Sequence, residues 1–225
     1  MWFTGIVVKK LILVSGAEGT GHQAIKDALH PWFTSGSVVD LSLHPKLESR
    51  LSRHERVSRW ALTSRVRALA PLAGGQTSDS SIVQDLQNLN HSNLFYGASL
   101  PYGAGGFMSR RRSVFKMPDF EALLELFAPV FDVRFLRLTR RRSSAVDSCL
   151  RRGFEAHRGL MTYTWTLGDA LSFQAYHAAR MKGIPAYEAH YEQLCSQPET
   201  TLSAIAELLG ISRSEVDSGA VKRCT

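Results

Sequence analysis

Apolar runs and the polar breaks between them divide the chain into alternating strand-like and helix-like stretches. Residues 7–15 (VVKKLILVS) form a short run rich in Val, Ile and Leu, the composition of a strand buried on both faces. Gly16, Gly19 and Gly21 follow at once. Residues 22–29 then place Ala24, Ile25, Ala28 and Leu29 at helical spacing, with Pro31 as the predicted stop. Residues 37–43 (SVVDLSL) read as a second strand. Residues 46–69 predict a long helix whose main apolar positions are Leu47, Leu51, Val57, Trp60 and Val66. Residues 71–81, rich in Gly, Ser, Thr and Asp, read as a surface loop.

The second half continues the alternation. Residues 93–100 predict a third strand, closed by Pro101 and the glycine-rich residues 103–106. Residues 119–127 form an amphipathic helix with Pro118 at its start, a favoured early position. Residues 133–139 (VRFLRLT) are strand-like, 143–152 and 166–181 helical, and 184–188 a last strand. Residues 198–209 make a helix stopped by Gly210, the residue type favoured just past a helix end. Strands alternating with helices imply an α/β fold, a mostly parallel sheet covered by helices. With no internal repeat or low-complexity segment, residues 1–225 read as a single domain.

Composition narrows the function classes. The 44% hydrophobic content suits a soluble globular core, and no apolar run approaches the roughly 20 residues of a membrane-spanning helix. The opening stretch carries Lys9 and Lys10 in its middle, which fits a buried strand and not a signal peptide. Cys149, Cys195 and Cys224 are odd in number and share no metal-ligand spacing, arguing against a disulfide framework and a zinc site and for a reducing compartment. A soluble cytoplasmic protein is the resulting expectation, with a lumenal domain cut from a longer anchored parent as its alternative. The net charge of +7 favours an anionic partner such as a nucleotide, acidic glycan, nucleic acid or membrane surface. The basic residues lack interleaved aromatics and any recognised motif, so nucleic acid ranks last.

The chemistry concentrates where the first strand hands over to a helix, at Gly16-Ala17-Glu18-Gly19-Thr20-Gly21-His22-Gln23. Free backbone N–H groups there attract phosphate or sulfate oxygens, and glycine lets the backbone come close. Gly16 to Gly21 has the spacing of the GxxxxGK(S/T) loop of nucleotide triphosphatases, but His22 stands in place of the lysine and Gln23 in place of the magnesium-binding hydroxyl. A triphosphatase or kinase would lack both its cation and its metal ligand. A glycine-rich turn without a ligand is the competing interpretation.

A second cluster follows the strand at 133–139. Arg140 stands at that strand's end and Ser148 eight residues on, inside the next helix. One contributes charge and the other a hydroxyl donor, so the two are suited to converge on one phosphate. Arg137, Arg141, Arg142, Arg151 and Arg152 make this the most basic part of the chain, for which a solvated basic face is the plain alternative.

At these places the chain resembles the sulfotransferase superfamily. SGAEGTGH at 15–22 looks like that family's 5′-phosphosulfate-binding loop. RRRSSAVDS at 140–148 matches its 3′-phosphate pattern of an Arg after a strand and a Ser eight positions on. YEQLCSQPETTLSAIAELLG at 191–210 is similar to the segment that follows the family's final strand. The resemblance implies a three-layer α/β fold like that of the P-loop NTPases. It also implies 3′-phosphoadenosine 5′-phosphosulfate (PAPS) as donor without a required metal, and 3′-phosphoadenosine 5′-phosphate (PAP) as product. It assigns the donor to Gly16, Gly19, Thr20, Gly21, His22 and Gln23, and its 3′-phosphate to Arg140 and Ser148.

The chain departs from the family in two ways. Ala17 stands where many members carry a Lys or Arg, and the acidic Glu18 follows it. Lys26 and the arginines at 110–112 are candidate substitutes for the missing cation. The cytosolic branch places its base, a His, just before Leu-Pro at the end of a middle strand, and Ser99 occupies that position here. Sulfuryl transfer still needs a group to accept the acceptor's proton. His22, which titrates near neutrality when unperturbed, Glu18 and His44 are the candidates. The acceptor is expected to be a carbohydrate or small molecule bearing a hydroxyl or amine. A small-molecule or nucleotide kinase, and a non-catalytic nucleotide- or glycan-binding protein, are the alternative functions. Arg50, Arg53, Arg56 and Arg59 form a basic helix stripe read as a solvated face, and the loop at 102–112 is a candidate cover for the site.

Overall fold

The computed structural model describes residues 8–43, 76–100, 119–154 and 157–222. The predicted helix at 46–69 with its arginine stripe, the loop at 102–112 and His44 lie outside these residues. Five parallel strands form one sheet in the order β2-β3-β1-β4-β5. They are β1 (Lys10–Ala17), β2 (Val38–Asp40), β3 (Asn93–Leu100), β4 (Asp132–Thr139) and β5 (Ala186–His190). The described helices are α1 (His22–Ala28), α2 (His30–Thr34), α3 (Gln76–Asn88), α4 (Phe120–Phe127) and α5 (Arg142–Arg151). They continue with α6 (Arg158–Met181), α7 (Tyr191–Ser196), α8 (Pro198–Leu209) and α9 (Ser218–Lys222).

Strand alternation produces the three layers. Along β1, Leu11 and Leu13 enter a core with Phe120, Phe127, Ala175 and Ala179 from α4 and α6. Ile12 and Val14 enter the opposite core with Ile25, Trp32, Leu202 and Ile205 from α1, α2 and α8. Because β1 is covered on both faces, nearly every one of its residues is buried, which explains its continuous apolar run. The chain leaves β1 toward one edge of the sheet and β4 toward the other. Their carboxyl ends therefore flank the crevice where open α/β sheets bind ligands.

Several elements differ from the sequence expectation. Residues 76–81, read as loop, begin α3. Its buried Ile82 and Leu86 fall in its second half, so the polar first turns carry no apolar signal. Pro31 does not end the helical stretch but opens α2, an early-turn position where its missing N–H is harmless. Helix α6 starts eight residues before the predicted 166, because Met161 and Trp165 anchor two extra turns. Its small Gly168, Ser172, Ala175 and Ala179 face the sheet, and Ser172 hydrogen-bonds Ser15 of β1 at 2.7 Å. Strand β5 lies two residues beyond the predicted span, since Glu188 is mid-strand. Its carboxylate pairs with Arg137, a β4 residue only 5% exposed, whose other partner is Asp169 of α6 at 2.5 Å. A paired charge made a strand interior look like a strand end.

Candidate active site

The loop from β1 to α1 is shaped by what its glycines leave out. Gly19 and Gly21 have φ of +81° and +104°, backbone that L side chains adopt only under strain. At Gly16 a Cβ would lie 2.5 Å from the Leu138 carbonyl and 2.6 Å from Thr20 Oγ1. At Gly21 it would lie 2.6 Å from the Tyr191 ring. Thr20 is buried, and its hydroxyl donates to the Ala17 carbonyl at 2.7 Å, holding the turn closed from within.

Around this loop lies a cavity of about 360 Å³. The loop side supplies Glu18, Gly19, Gly21, His22 and Gln23, and β3 supplies Ser99. The opposite wall comes from Arg140, Ser148, Arg152 and Phe154, with Tyr191 at the start of α7. The structure thus gathers Glu18, Gly19, Gly21, His22, Gln23, Arg140 and Ser148 on one cavity. Gly16 and Thr20 stand behind the wall and set the shape of the loop. Gln23 Nε2 donates to Asp27 Oδ1 at 2.7 Å along the surface of α1.

Arg140 leaves the end of β4 and is fixed from two directions. Its Nη1 donates to the Gly19 carbonyl at 3.1 Å, and its guanidinium lies 4.1 Å from the Tyr191 ring centroid, a cation–π contact. Its Nε is buried and has no hydrogen-bond partner among the described residues. The backbone N–H of Arg141 donates to Glu192 Oε1 at 2.9 Å, tying the start of α5 to the start of α7. Tyr191 is thereby held against both Gly21 and Arg140.

The two acid–base candidates in the cavity are pushed in opposite directions on the pH scale. Burial, and secondarily the charge of Lys26, lower the His22 pKa to about 4, with the Ala98 carbonyl partly offsetting them. The ring is neutral at pH 7, its Nδ1 3.5 Å from Thr20 Oγ1 and its Nε2 shielded from solvent with no well-formed hydrogen bond among the described residues. Burial raises the Glu18 pKa, opposed by the Arg152 charge and by hydrogen bonds from Ser99 and the Gly19 backbone. Lys26 does not face the cavity as a substitute cation. Its Nζ pairs with Asp40 Oδ2 and contacts Ser42 Oγ, each at 2.8 Å, on the β2 side.

Sequence reasoning left Ala24, Ser99, Arg152, Phe154 and Tyr191 of the cavity lining out of the predicted site. Arg152 follows Ser148 by four positions and therefore shares its helix face, a readable signal. Tyr191 lies in the segment that carried the third resemblance. Phe154 has no signal of its own: its placement depends on the turn after α5, where Arg152 lies 4.4 Å over its ring centroid.

No protein-family model matches the sequence, and no curated protein does. Solved structures share the fold. The sulfotransferase domain from the Synechococcus PCC 7002 olefin synthase superposes with a TM-score of 0.52 at 15% identity, over 95% of this chain and 76% of that one. The sulfotransferase domain from the curacin biosynthetic pathway gives a TM-score of 0.52 at 14% identity, over 91% of this chain and 75% of that one.

Proposed function

We propose that this chain, which has the fold of sulfotransferase domains, transfers a sulfuryl group from PAPS to a hydroxyl or amine of a carbohydrate or small molecule. The observation that carries this reading is the convergence of the loop, Arg140 and Ser148 on one cavity, with the buried Arg140 Nε lacking a partner among the described residues. An unpaired charged donor out of water is costly, and a ligand phosphate is the group that satisfies it. In this reading the 3′-phosphate lies against Arg140 and Ser148, and the phosphosulfate lies along the loop at Gly19, Gly21 and His22. Gln23 in place of a hydroxyl, bonded to Asp27, fits a donor that needs no magnesium.

The proton chemistry follows from the two shifted groups. An acceptor oxygen attacks sulfur, an O–S bond forms, the bond from sulfur to the bridging phosphate oxygen breaks, and PAP departs. The acceptor's proton goes to the Glu18 carboxylate. A base works best when its pKa approaches the working pH, and burial moves Glu18 toward neutrality while it moves His22 away. Ser99, at the position of the missing histidine, lines the same cavity as Glu18. Neutral His22 keeps one ring N–H to donate to the leaving oxygen.

Titration calorimetry with PAP tests the reading. Magnesium-independent binding is expected, weakened roughly 10- to 100-fold by Arg140→Ala, the scale of a lost charge-assisted hydrogen bond. A requirement for magnesium with preference for ATP would overturn it.

A further inference from the structure

The loop carries no lysine, Ala17 replaces a family cation, and Lys26 is committed to Asp40. A polyanionic donor nevertheless needs positive charge at its phosphosulfate end. Among the described residues the cavity wall opposite Gly19 contains one further arginine; the candidate arginines at 110–112 lie outside them. Arg152, the residue that ends α5, places Nη2 3.5 Å from where a Cβ on Gly19 would be. Its Nε donates to the Ser148 carbonyl at 3.3 Å, and its guanidinium lies over Phe154. These contacts hold the fork at the cavity wall. Stacking on an aromatic face leaves guanidinium N–H groups at its rim available to a ligand.

We propose that Arg152, supplied from the end of α5, is the cation that the loop itself lacks. The inference rests on the site's binding an anion. It deepens the reading above by assigning a residue that the loop pattern does not contain. Arg140 and Arg152 then both reach Gly19: Arg140 donates to its carbonyl, and Arg152 Nη2 lies beside the position its Cβ would take.

The test is calorimetric titration of the wild-type chain, Arg152→Met and Arg152→Lys with PAP and, separately, with inorganic pyrophosphate. Arg152 is exposed as a residue, so its variants are expected to keep the wild-type melting temperature. Arg152→Met is expected to weaken both ligands roughly 10- to 100-fold, and Arg152→Lys to recover part of the loss because it keeps charge but not the fork. Arg152→Met binding like wild type would overturn the proposal. Wild-type binding of pyrophosphate but not PAP would sink the donor reading alone, with the variants still deciding the role of Arg152. Binding of neither ligand would overturn both.

Discussion

Gly21→Ala tests the contact on which the site geometry depends. The added Cβ meets two separate penalties. At φ +104° an alanine is strained by about 1–3 kcal/mol. The methyl would also lie 2.6 Å from Tyr191 Cδ2, and displacing a packed ring costs about 1–3 kcal/mol. Together about 2–6 kcal/mol is at stake, and each kcal/mol lowers the melting temperature by about 2–4 °C in a domain of this size. A fall of roughly 5–20 °C is therefore expected in a thermal melt. The two penalties separate in a double-mutant cycle with Tyr191→Ala, which removes the ring but leaves the backbone strain. In that background Gly21→Ala should cost only the backbone part, leaving a coupling of about 1–3 kcal/mol. Equal costs in both backgrounds would show that the ring does not need the missing Cβ. No cost in either would refute the loop conformation itself.

Two other perturbations probe the fold around the site. Arg137→Met leaves Glu188 and Asp169 facing each other without their cation and is expected to destabilise by about 2–4 kcal/mol in urea unfolding. That is below the loss for a fully buried pair because both carboxylates keep some solvent, and a loss under about 0.5 kcal/mol would show the pair contributes nothing. His22 has a folded pKa of about 4, below its unfolded value of 6.5, so the unfolded chain takes up the proton first as pH falls. Its stabilising contribution is complete above pH 6.5 and lost on the way down, on the order of 3 kcal/mol by pH 4. His22→Gln should lack that component, and parallel stability–pH curves for the two proteins between pH 7 and 4 would refute it.

What the sequence revealed depended on how local the determining physics was. Residues 93–100 and 198–209 match β3 and α8 end to end, since each is bounded by its own turn or cap signal. The cavity's loop and its Arg140–Ser148 pair were legible for the same reason: each sits at a strand end followed by a helix. The early turns of α3 were not, because nothing in residues 76–81 marks a face to bury. Nor was the end of β5, where Glu188 is satisfied by Arg137 from the neighbouring strand, fifty-one positions away. The fate of Lys26 was equally hidden. Its partner Asp40 is fixed by strand order, which no spacing along the chain encodes.

The arrangement of charge in the cavity follows from packing beneath it. A Cβ on Gly19 would lie 2.8 Å from Cys149 Sγ and 3.0 Å from the Ala145 carbonyl, so α5 docks where Gly19 has no side chain. Ala17, Ala145, Val146 and Cys149 then form a small buried cluster with Met161 and Trp165 of α6. Ser148 and Arg152 ride on the same helix as Ala145 and Cys149, one face in the cluster and the other on the cavity. Their distance to the loop is therefore set by the fit of α5 against Gly19. A phosphate loop with its own lysine places that charge by local backbone alone. On the proposal for Arg152 the charge comes instead from a neighbouring helix, which makes the affinity of the site a property of how two elements pack.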